Sequence, residues 1–177
     1  KCALDAVKNY SLENVSYSHS AGLMELRKGL VEKYYKKIGI DLTVDELIVT
    51  VAGSESVNLA LEIACNPGDE VIVNEPCWTN YIQQVEMCYA VPVSVSTDLE
   101  NGFSLDIEKI EAAITDKTRA IIINSPCNPT GAVLDKEVLE KLAVLAKKYD
   151  LLIISDEVYK HIIFDDNEFT SIASFAG

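Results

Sequence analysis

Apolar residues recur along this chain in two patterns that predict alternating strands and helices. Short runs of mostly apolar, often β-branched residues predict strands at residues 47–51, 71–73, 91–95, 120–123 and 151–154. Between these runs, apolar residues that step by three or four predict amphipathic helices, most clearly at residues 23–38 and 138–149. Shorter helices are predicted after Ser54, Trp78 and Asp106, with Asp106 as the N-cap of its helix.

Strands separated by single helices form βαβ crossovers, so the sheet is predicted to be mostly parallel. Several predicted strands are apolar at consecutive positions, which is typical of strands that helices cover on both faces. Pro92 has no backbone N–H to donate to a neighbouring strand, so the run at 91–95 is predicted to be an edge strand. The predicted fold class is α/β, with a three-layer α/β/α arrangement in one domain.

Composition narrows the possible partners. The chain has 177 residues and a formal net charge of -13, which repels polyanions, so binding to nucleic acid or to an anionic membrane is not expected. No apolar run is long enough to cross a bilayer. The cysteines are odd in number and lack CxxC spacing, which indicates free thiols in a reducing cytoplasm and no metal site; they are Cys2, Cys65, Cys77, Cys88 and Cys127.

Ligands of open parallel sheets bind beyond the carboxyl ends of the strands, and distinctive polar clusters follow four of the five predicted strands. The run at 47–51 is followed by Gly53-Ser54-Glu55. This is either a tight turn with Ser54 as a helix N-cap or a cradle of backbone N–H groups for a phosphate. The run at 71–73 is followed by Trp78, whose ring either packs in the core or stacks on a planar ligand.

The other two clusters follow the runs at 120–123 and 151–154. Asn128 lies in a loop rich in proline and asparagine, so it either shapes a rigid turn or directs its amide at a ligand oxygen. Asp156 leaves an apolar strand, so its carboxylate needs a partner. That partner is either structural, in an ion pair or an N-cap, or a protonated ring nitrogen. Together the four clusters suit a phosphorylated aromatic heterocycle.

Six segments of the chain resemble, in their order and spacing, the fold-type I pyridoxal-phosphate-dependent aminotransferases of class I/II, the aspartate aminotransferase group. They lie at residues 17–27, 51–55, 66–71, 76–81, 128–131 and 155–159. The resemblance implies pyridoxal 5'-phosphate as the cofactor and transfer of an amino group from an amino acid to a 2-oxo acid. It also implies a homodimer and cis peptide bonds before Pro76 and Pro129.

The resemblance further implies a role for individual residues. The backbone at Gly53, Ser54 and Glu55 would hold the cofactor phosphate, and Tyr17 would reach the phosphate bound by the partner subunit. Trp78 would stack on the pyridine ring. The residues implied in catalysis, which also bind the cofactor, are Asp156 at the ring nitrogen and Asn128 and Tyr159 at the phenolic oxygen.

Part of the family's machinery does not occur in this sequence. The segment Ser-x-Ser-Lys with the Schiff-base lysine is absent, as is the small domain. Residues 1–177 are therefore interpreted as an incomplete cofactor-binding large domain that is inactive alone. The implied sheet has further strands between those at 47–51 and 151–154, which would leave these two as open edges or pair them across chains. Two alternatives stay open: a pyridoxal-phosphate-dependent lyase of the same fold, and a non-catalytic, aminotransferase-like module that binds a ligand.

Overall fold

The computed structural model describes residues 2–9 and 17–175, which fall into two compact units, residues 1–49 and residues 50–177. The first unit contains the helices α1 (Cys2–Lys8) and α2 (Met24–Lys33) and two short 3-10 helices, Tyr35–Ile38 and Val44–Glu46. The helix predicted at 23–38 is thus confirmed as an α-helix that tightens into a 3-10 turn. It ends at Gly39, whose φ of 79° is one that glycine adopts without steric cost.

The strand predicted at 47–51 is wrong. Leu47 has an extended backbone, with φ -125° and ψ 125°, but within the described part of the chain this run pairs with no other strand. The Val49 N–H donates instead to the carbonyl oxygen of Ala21, at 3.1 Å. A strand is defined by a ladder of hydrogen bonds to a neighbour, so an apolar run without that neighbour stays irregular.

The second unit is built on a four-stranded sheet. Its strands are β1 (Glu70–Glu75), β2 (Val91–Ser96), β3 (Thr118–Asn124) and β4 (Leu152–Asp156). They lie side by side in the order β2-β1-β3-β4, and every neighbouring pair is parallel. The other four predicted strands and the predicted parallel sheet are therefore confirmed.

The helices of this unit match the periodic segments of the sequence. They are α3 (Ala52–Ala64), α4 (Asn80–Met87), α5 (Ile107–Ala113) and α6 (Lys136–Tyr149). Asp106 is the N-cap of α5, as predicted, because its carboxylate accepts hydrogen bonds from the backbone N–H groups of Glu108 and Lys109. Among the described residues, no helix combines the length and the apolar character that crossing a membrane requires.

Helices cover both faces of the sheet. Ile72 of β1 packs with residues of α5 and α6 on one face, while its neighbours Val71 and Val73 pack with residues of α3 and α4 on the other. All three side chains are fully buried. The strands read as unbroken apolar runs because each face has its own core, which confirms the predicted three-layer arrangement.

The two edges of the described sheet are β2 and β4. Pro92 pairs with Val71 of β1 on one side only, so the edge position predicted from this proline is confirmed. At the opposite edge, β4 pairs with β3 alone among the described strands.

The order of the strands reverses between β1 and β3. The chain passes from β1 to β2 on one side and then crosses back to β3 and β4 on the other. The helix that follows β1, α4, lies on one face, and the helix that follows β3, α6, lies on the opposite face. Connections that diverge in this way open a crevice beyond the carboxyl ends of the strands, where α/β proteins bind ligands.

Candidate functional site

A cleft of about 230 Å³ lies at the carboxyl ends of β3 and β4, against the first turn of α3. Six of the eight residues implied by the resemblance line it: Gly53, Ser54, Trp78, Asn128, Asp156 and Tyr159. Three further residues that the sequence analysis assigned to no site also line it: Tyr81, Asn124 and Val158. The remaining two implied residues, Glu55 and Tyr17, are not among the lining residues.

The Asp156 carboxylate receives two hydrogen bonds from the protein. The Tyr81 hydroxyl donates to Oδ2 at 2.7 Å, and the Val158 backbone N–H donates to Oδ1 at 3.1 Å. Burial raises the pKa of Tyr81 far above its ordinary value, and the hydrogen bond to Asp156 raises this pKa further. Tyr81 is therefore a protonated donor throughout the physiological range. The two carboxylate oxygens retain further lone pairs that can accept from a ligand.

Asn124 connects two of the predicted residues. Its side-chain Nδ2 donates to the backbone carbonyl oxygen of Asp156 at 2.9 Å, and its Oδ1 accepts from the backbone N–H of Asn128 at 2.7 Å. The first contact follows from the sheet, because Asn124 and Asp156 are paired positions of β3 and β4. Asn124 thereby fixes the loop that carries Asn128 relative to the strand that carries Asp156.

Both loops that leave β1 and β3 contain cis peptide bonds. The bonds Glu75-Pro76 and Asn128-Pro129 are cis, as the resemblance implies, and Ser125-Pro126 is cis as well.

Trp78 both packs against the core and lines the cleft. Its ring packs edge-on against Tyr81, with centroids 5.4 Å apart and an interplanar angle of 83°. It is only partly buried against the core and also lines the cleft. A ring held at one edge by an aromatic neighbour presents a fixed face to a planar ligand.

The N-terminal turn of α3 contributes main-chain atoms to the cleft. The helix begins at Ala52, so Ser54 lies in its first turn and is not the N-cap that one interpretation proposed. The N–H groups of a first turn have no partner within the helix and are available to an anion. Glu55 caps this turn with its side chain, because its carboxylate accepts a hydrogen bond from the Val51 backbone N–H.

Gln84 on α4 contacts the same turn from the core side. Its Nε2 donates to the backbone carbonyl oxygen of Ser54 at 2.6 Å, and the side chain is buried. Sequence reasoning missed both Gln84 and Tyr81. The available signal was their spacing, since Tyr81 and Gln84 lie three positions apart on one face of α4 and Tyr81 follows Trp78 by three residues.

Cys77 and Cys127 lie near the cleft but are not lining residues of it. Burial, together with the nearby carboxylate of Glu75 and the Cys127 side chain, raises the pKa of Cys77 to about 11. Cys77 is therefore a thiol at neutral pH and does not supply a thiolate nucleophile. All five cysteines are free.

The loops of this parallel sheet gather a carboxylate, an aromatic face and a helix N-terminus in one cleft, at the end of the sheet where α/β proteins bind ligands. Residues 4–177 match the family described as aminotransferase class I and II. The chain belongs to this family.

Individual relatives agree with this assignment. The chain is 44% identical to the aspartate/prephenate aminotransferase of Thermus thermophilus over 154 residues, which are 87% of this chain and 40% of that protein. The solved structure of Thermus thermophilus aspartate aminotransferase with maleate superposes with a TM-score of 0.90 at 41% identity, covering 98% of this chain and 44% of that one. The alanine aminotransferase of Pyrococcus furiosus gives a TM-score of 0.89 at 36% identity, covering 98% of this chain and 43% of that one. The chain thus spans less than half the length of these relatives.

Proposed function

We propose that the full-length protein is a pyridoxal-phosphate-dependent aminotransferase that transfers an amino group from an amino acid to a 2-oxo acid. One observation carries the proposal: the cleft brings together a doubly hydrogen-bonded carboxylate, an aromatic face and the first turn of α3. These three features suit the ring nitrogen, the ring plane and the phosphate of pyridoxal 5'-phosphate. The residues therefore fit the cofactor.

When bound, pyridoxal 5'-phosphate supplies an electron-withdrawing ring that stabilises negative charge at the α-carbon of the substrate. Asp156 would hold a proton on the ring nitrogen, because an ionised carboxylate accepts the N–H and favours the charged ring. The donors Tyr81 and Val158 occupy one position on each carboxylate oxygen and leave the remaining lone pairs for the ring N–H. Asp156 would thus maintain the ring in its electron-withdrawing form.

Trp78 would fix the plane of the ring, so that the bond to be broken stands perpendicular to it. Asn128 and Tyr159, which line the cleft together, would donate hydrogen bonds to the phenolic oxygen of the ring. The backbone N–H groups of Gly53, Ser54 and Glu55 would bind the phosphate at the positive end of the α3 dipole.

The substrate is proposed as a class. The relatives described above are named for aspartate, prephenate and alanine, so the proposal is an amino acid and a 2-oxo acid. We also propose a homodimer in the cytoplasm, in which Tyr17 reaches the phosphate of the partner subunit. Tyr17 belongs to the first unit and is fully exposed, as a side chain needs to be to contact a second copy.

The test uses the full-length protein and pyridoxal 5'-phosphate. A visible absorbance band should rise to saturation as the cofactor is added and should disappear when an amino acid is supplied without an acceptor. One equivalent of 2-oxo acid should be released per site, because the amino group remains on the enzyme until an acceptor arrives. Continuous release of 2-oxo acid and ammonia without an acceptor would identify a lyase, and the absence of a saturable band would contradict cofactor binding.

Asp156→Ala is the variant for this test, since it removes the carboxylate that the proposal places at the ring nitrogen. The matched control is Asp166→Ala, which alters an exposed carboxylate that does not line the cleft.

A further inference from the structure

Two buried polar side chains of α4 contact the cleft from the core side. Tyr81, 2% exposed, donates to Asp156, while Gln84, 8% exposed, donates to the carbonyl oxygen of Ser54. The two residues are three positions apart and so share one face of the helix. A single helix therefore contacts both the Asp156 carboxylate and the first turn of α3.

Resting on the proposed function, we propose that Tyr81 and Gln84 are positioning residues. They set the Asp156 carboxylate and the phosphate-binding turn of α3 at the separation that one bound cofactor molecule requires. Neither acts on the substrate. Tyr81 acts through Asp156, and Gln84 acts through the backbone of Ser54.

Tyr81 fixes the direction of the carboxylate. Its ring is immobilised by burial and by edge-on packing against Trp78, so its hydroxyl is held at one point, 2.7 Å from Oδ2 of Asp156. The Val158 N–H holds the other oxygen, which prevents the carboxylate from rotating. A carboxylate held in one orientation accepts the ring N–H along one direction, which would keep the shared proton on the ring nitrogen of the ligand.

Gln84 fixes the orientation of a peptide plane. The Ser54 carbonyl and the Glu55 N–H belong to the same planar peptide unit, so a hydrogen bond to the carbonyl oxygen also sets the direction of that N–H. The donor–acceptor distance of 2.6 Å is short, and the donor side chain is buried although the bond itself is only partly buried. The phosphate-binding N–H is thereby oriented before the ligand arrives.

Packing alone does not account for a glutamine at this position. The Oε1 atom of Gln84 is buried without a hydrogen-bond partner, which lowers stability relative to an apolar side chain of the same size. Gln84 thus lowers stability through its unpartnered oxygen while its nitrogen holds the Ser54 carbonyl. This combination is expected of a residue that is retained for positioning the turn.

The experiment compares two ligands on the full-length protein: pyridoxal 5'-phosphate and pyridoxal, which lacks the phosphate. Tyr81→Phe should raise both dissociation constants by the same factor, about five- to tenfold, because it weakens the hold on the ring nitrogen that both ligands share. Gln84→Met should raise the dissociation constant of the phosphorylated ligand alone, about three- to fivefold. The dissociation constant of pyridoxal divided by that of pyridoxal 5'-phosphate therefore stays unchanged in Tyr81→Phe and decreases in Gln84→Met.

A second readout is independent of affinity. With ¹⁵N in the pyridine ring, the ¹⁵N NMR shift of the bound cofactor should move toward the unprotonated value in Tyr81→Phe and stay at the wild-type value in Gln84→Met. A purely structural role for Tyr81 would not move this shift.

Each variant has a matched control. Tyr149→Phe removes a tyrosine hydroxyl that donates to the exposed carboxylate of Glu111, and Gln83→Met removes an exposed amide from the same helix. Both should leave the two dissociation constants unchanged. If Gln84→Met does not fold, Gln84→Asn, which keeps the amide but is one carbon too short, gives the same test.

The outcomes separate this inference from the proposed function. If the wild-type protein binds pyridoxal 5'-phosphate but Tyr81→Phe changes neither constant, the positioning role of Tyr81 is overturned. If Gln84→Met changes both constants equally, or changes neither, the positioning role of Gln84 is overturned. In both cases the proposed function stands. If the wild-type protein binds neither ligand, the proposed function fails and the positioning roles fail with it.

Discussion

Asn124 and Asp156 face each other across β3 and β4, and the side chain of the first donates to the backbone carbonyl of the second at 2.9 Å. The same amide accepts from the Asn128 backbone N–H, so one side chain joins a strand end to the loop beside it. The geometry of the cleft therefore depends on a residue that belongs to the sheet.

Asn124→Ala should lower the free energy of unfolding by about 2 kcal/mol, because it leaves the Asn128 N–H without a partner and removes one of the two hydrogen bonds to the Asp156 carbonyl oxygen, which then keeps only the Ser125 N–H. Urea denaturation of the full-length protein measures this change. Asn167→Ala removes an exposed amide that donates to the Phe164 carbonyl oxygen and should cost less than about 0.5 kcal/mol. If the two substitutions lower the free energy of unfolding equally, Asn124 contributes no more to stability than an exposed asparagine.

Asp156→Asn should reduce turnover about 100-fold or more while the protein stays folded, because a neutral amide cannot hold a proton on the ring nitrogen. Steady-state kinetics and circular dichroism, measured on one preparation, provide the two readouts. Near-normal turnover in this variant would contradict the proposal that Asp156 holds a proton on the ring nitrogen.

Trp78→Leu should raise the dissociation constant of pyridoxal 5'-phosphate about tenfold, because an aliphatic side chain cannot stack on the ring. Trp78→Phe retains an aromatic face and should raise it less. Equilibrium dialysis of all three proteins gives the order directly. A leucine variant that binds as tightly as the phenylalanine variant would mean that the ring of Trp78 only fills space.

Glu55→Gln should strengthen binding of the phosphorylated cofactor about two- to fivefold. The amide oxygen of glutamine can still accept from the Val51 N–H, whereas the negative charge beside the phosphate-binding turn is gone. Glu62→Gln on the same helix, where Glu62 accepts from the exposed amide of Asn58, is the control and should change nothing. If Glu55→Gln binds the phosphorylated cofactor more weakly, the proposal that the phosphate binds at the first turn of α3 is contradicted.

Asp106 should contribute to the dependence of stability on pH. Hydrogen bonds from the backbone N–H groups of Lys109 and Glu108, together with the positive charge of Lys109, hold the pKa of Asp106 below its ordinary value of 3.8. In the window below 3.8 the unfolded chain binds more protons than the folded one. The contribution is therefore complete above 3.8 and is lost as the pH falls through the folded pKa.

Asp106→Asn keeps an N-cap acceptor that does not titrate, so its stability should fall less steeply on acidification than that of the wild type. Urea midpoints measured between about pH 3 and pH 6 test this expectation. Parallel curves for the two proteins would show that Asp106 does not titrate differently on folding.

Local patterns predicted most of this fold because each depends on nearby residues. Asp106 caps a helix two and three residues away, and Pro92 marks an edge through its own missing N–H. The run at 47–51 fails for the opposite reason, since apolar character does not supply the neighbouring strand that a ladder needs.

The same distinction applies to the cleft. Trp78 and Asp156 stand out in the sequence because a lone tryptophan and a carboxylate at the end of an apolar strand are unusual residues for those positions. Tyr81 does not stand out, because an aromatic residue at helical spacing is typical of a core, and its hydroxyl partner lies 75 residues further along the chain. Gln84 was hidden likewise, since its partner is a backbone atom 30 residues earlier.

The spacing of Tyr81 and Gln84 constrains the number of residues in α4 more than the identity of its exposed residues. One residue inserted between Tyr81 and Gln84 would rotate the rest of the helix by about 100°, so the glutamine would leave the Ser54 carbonyl while the tyrosine kept its place. Relatives can therefore vary the exposed positions of α4 freely, but changes in chain length should be confined to loops such as residues 97–105, whose exposed tip can take up extra residues.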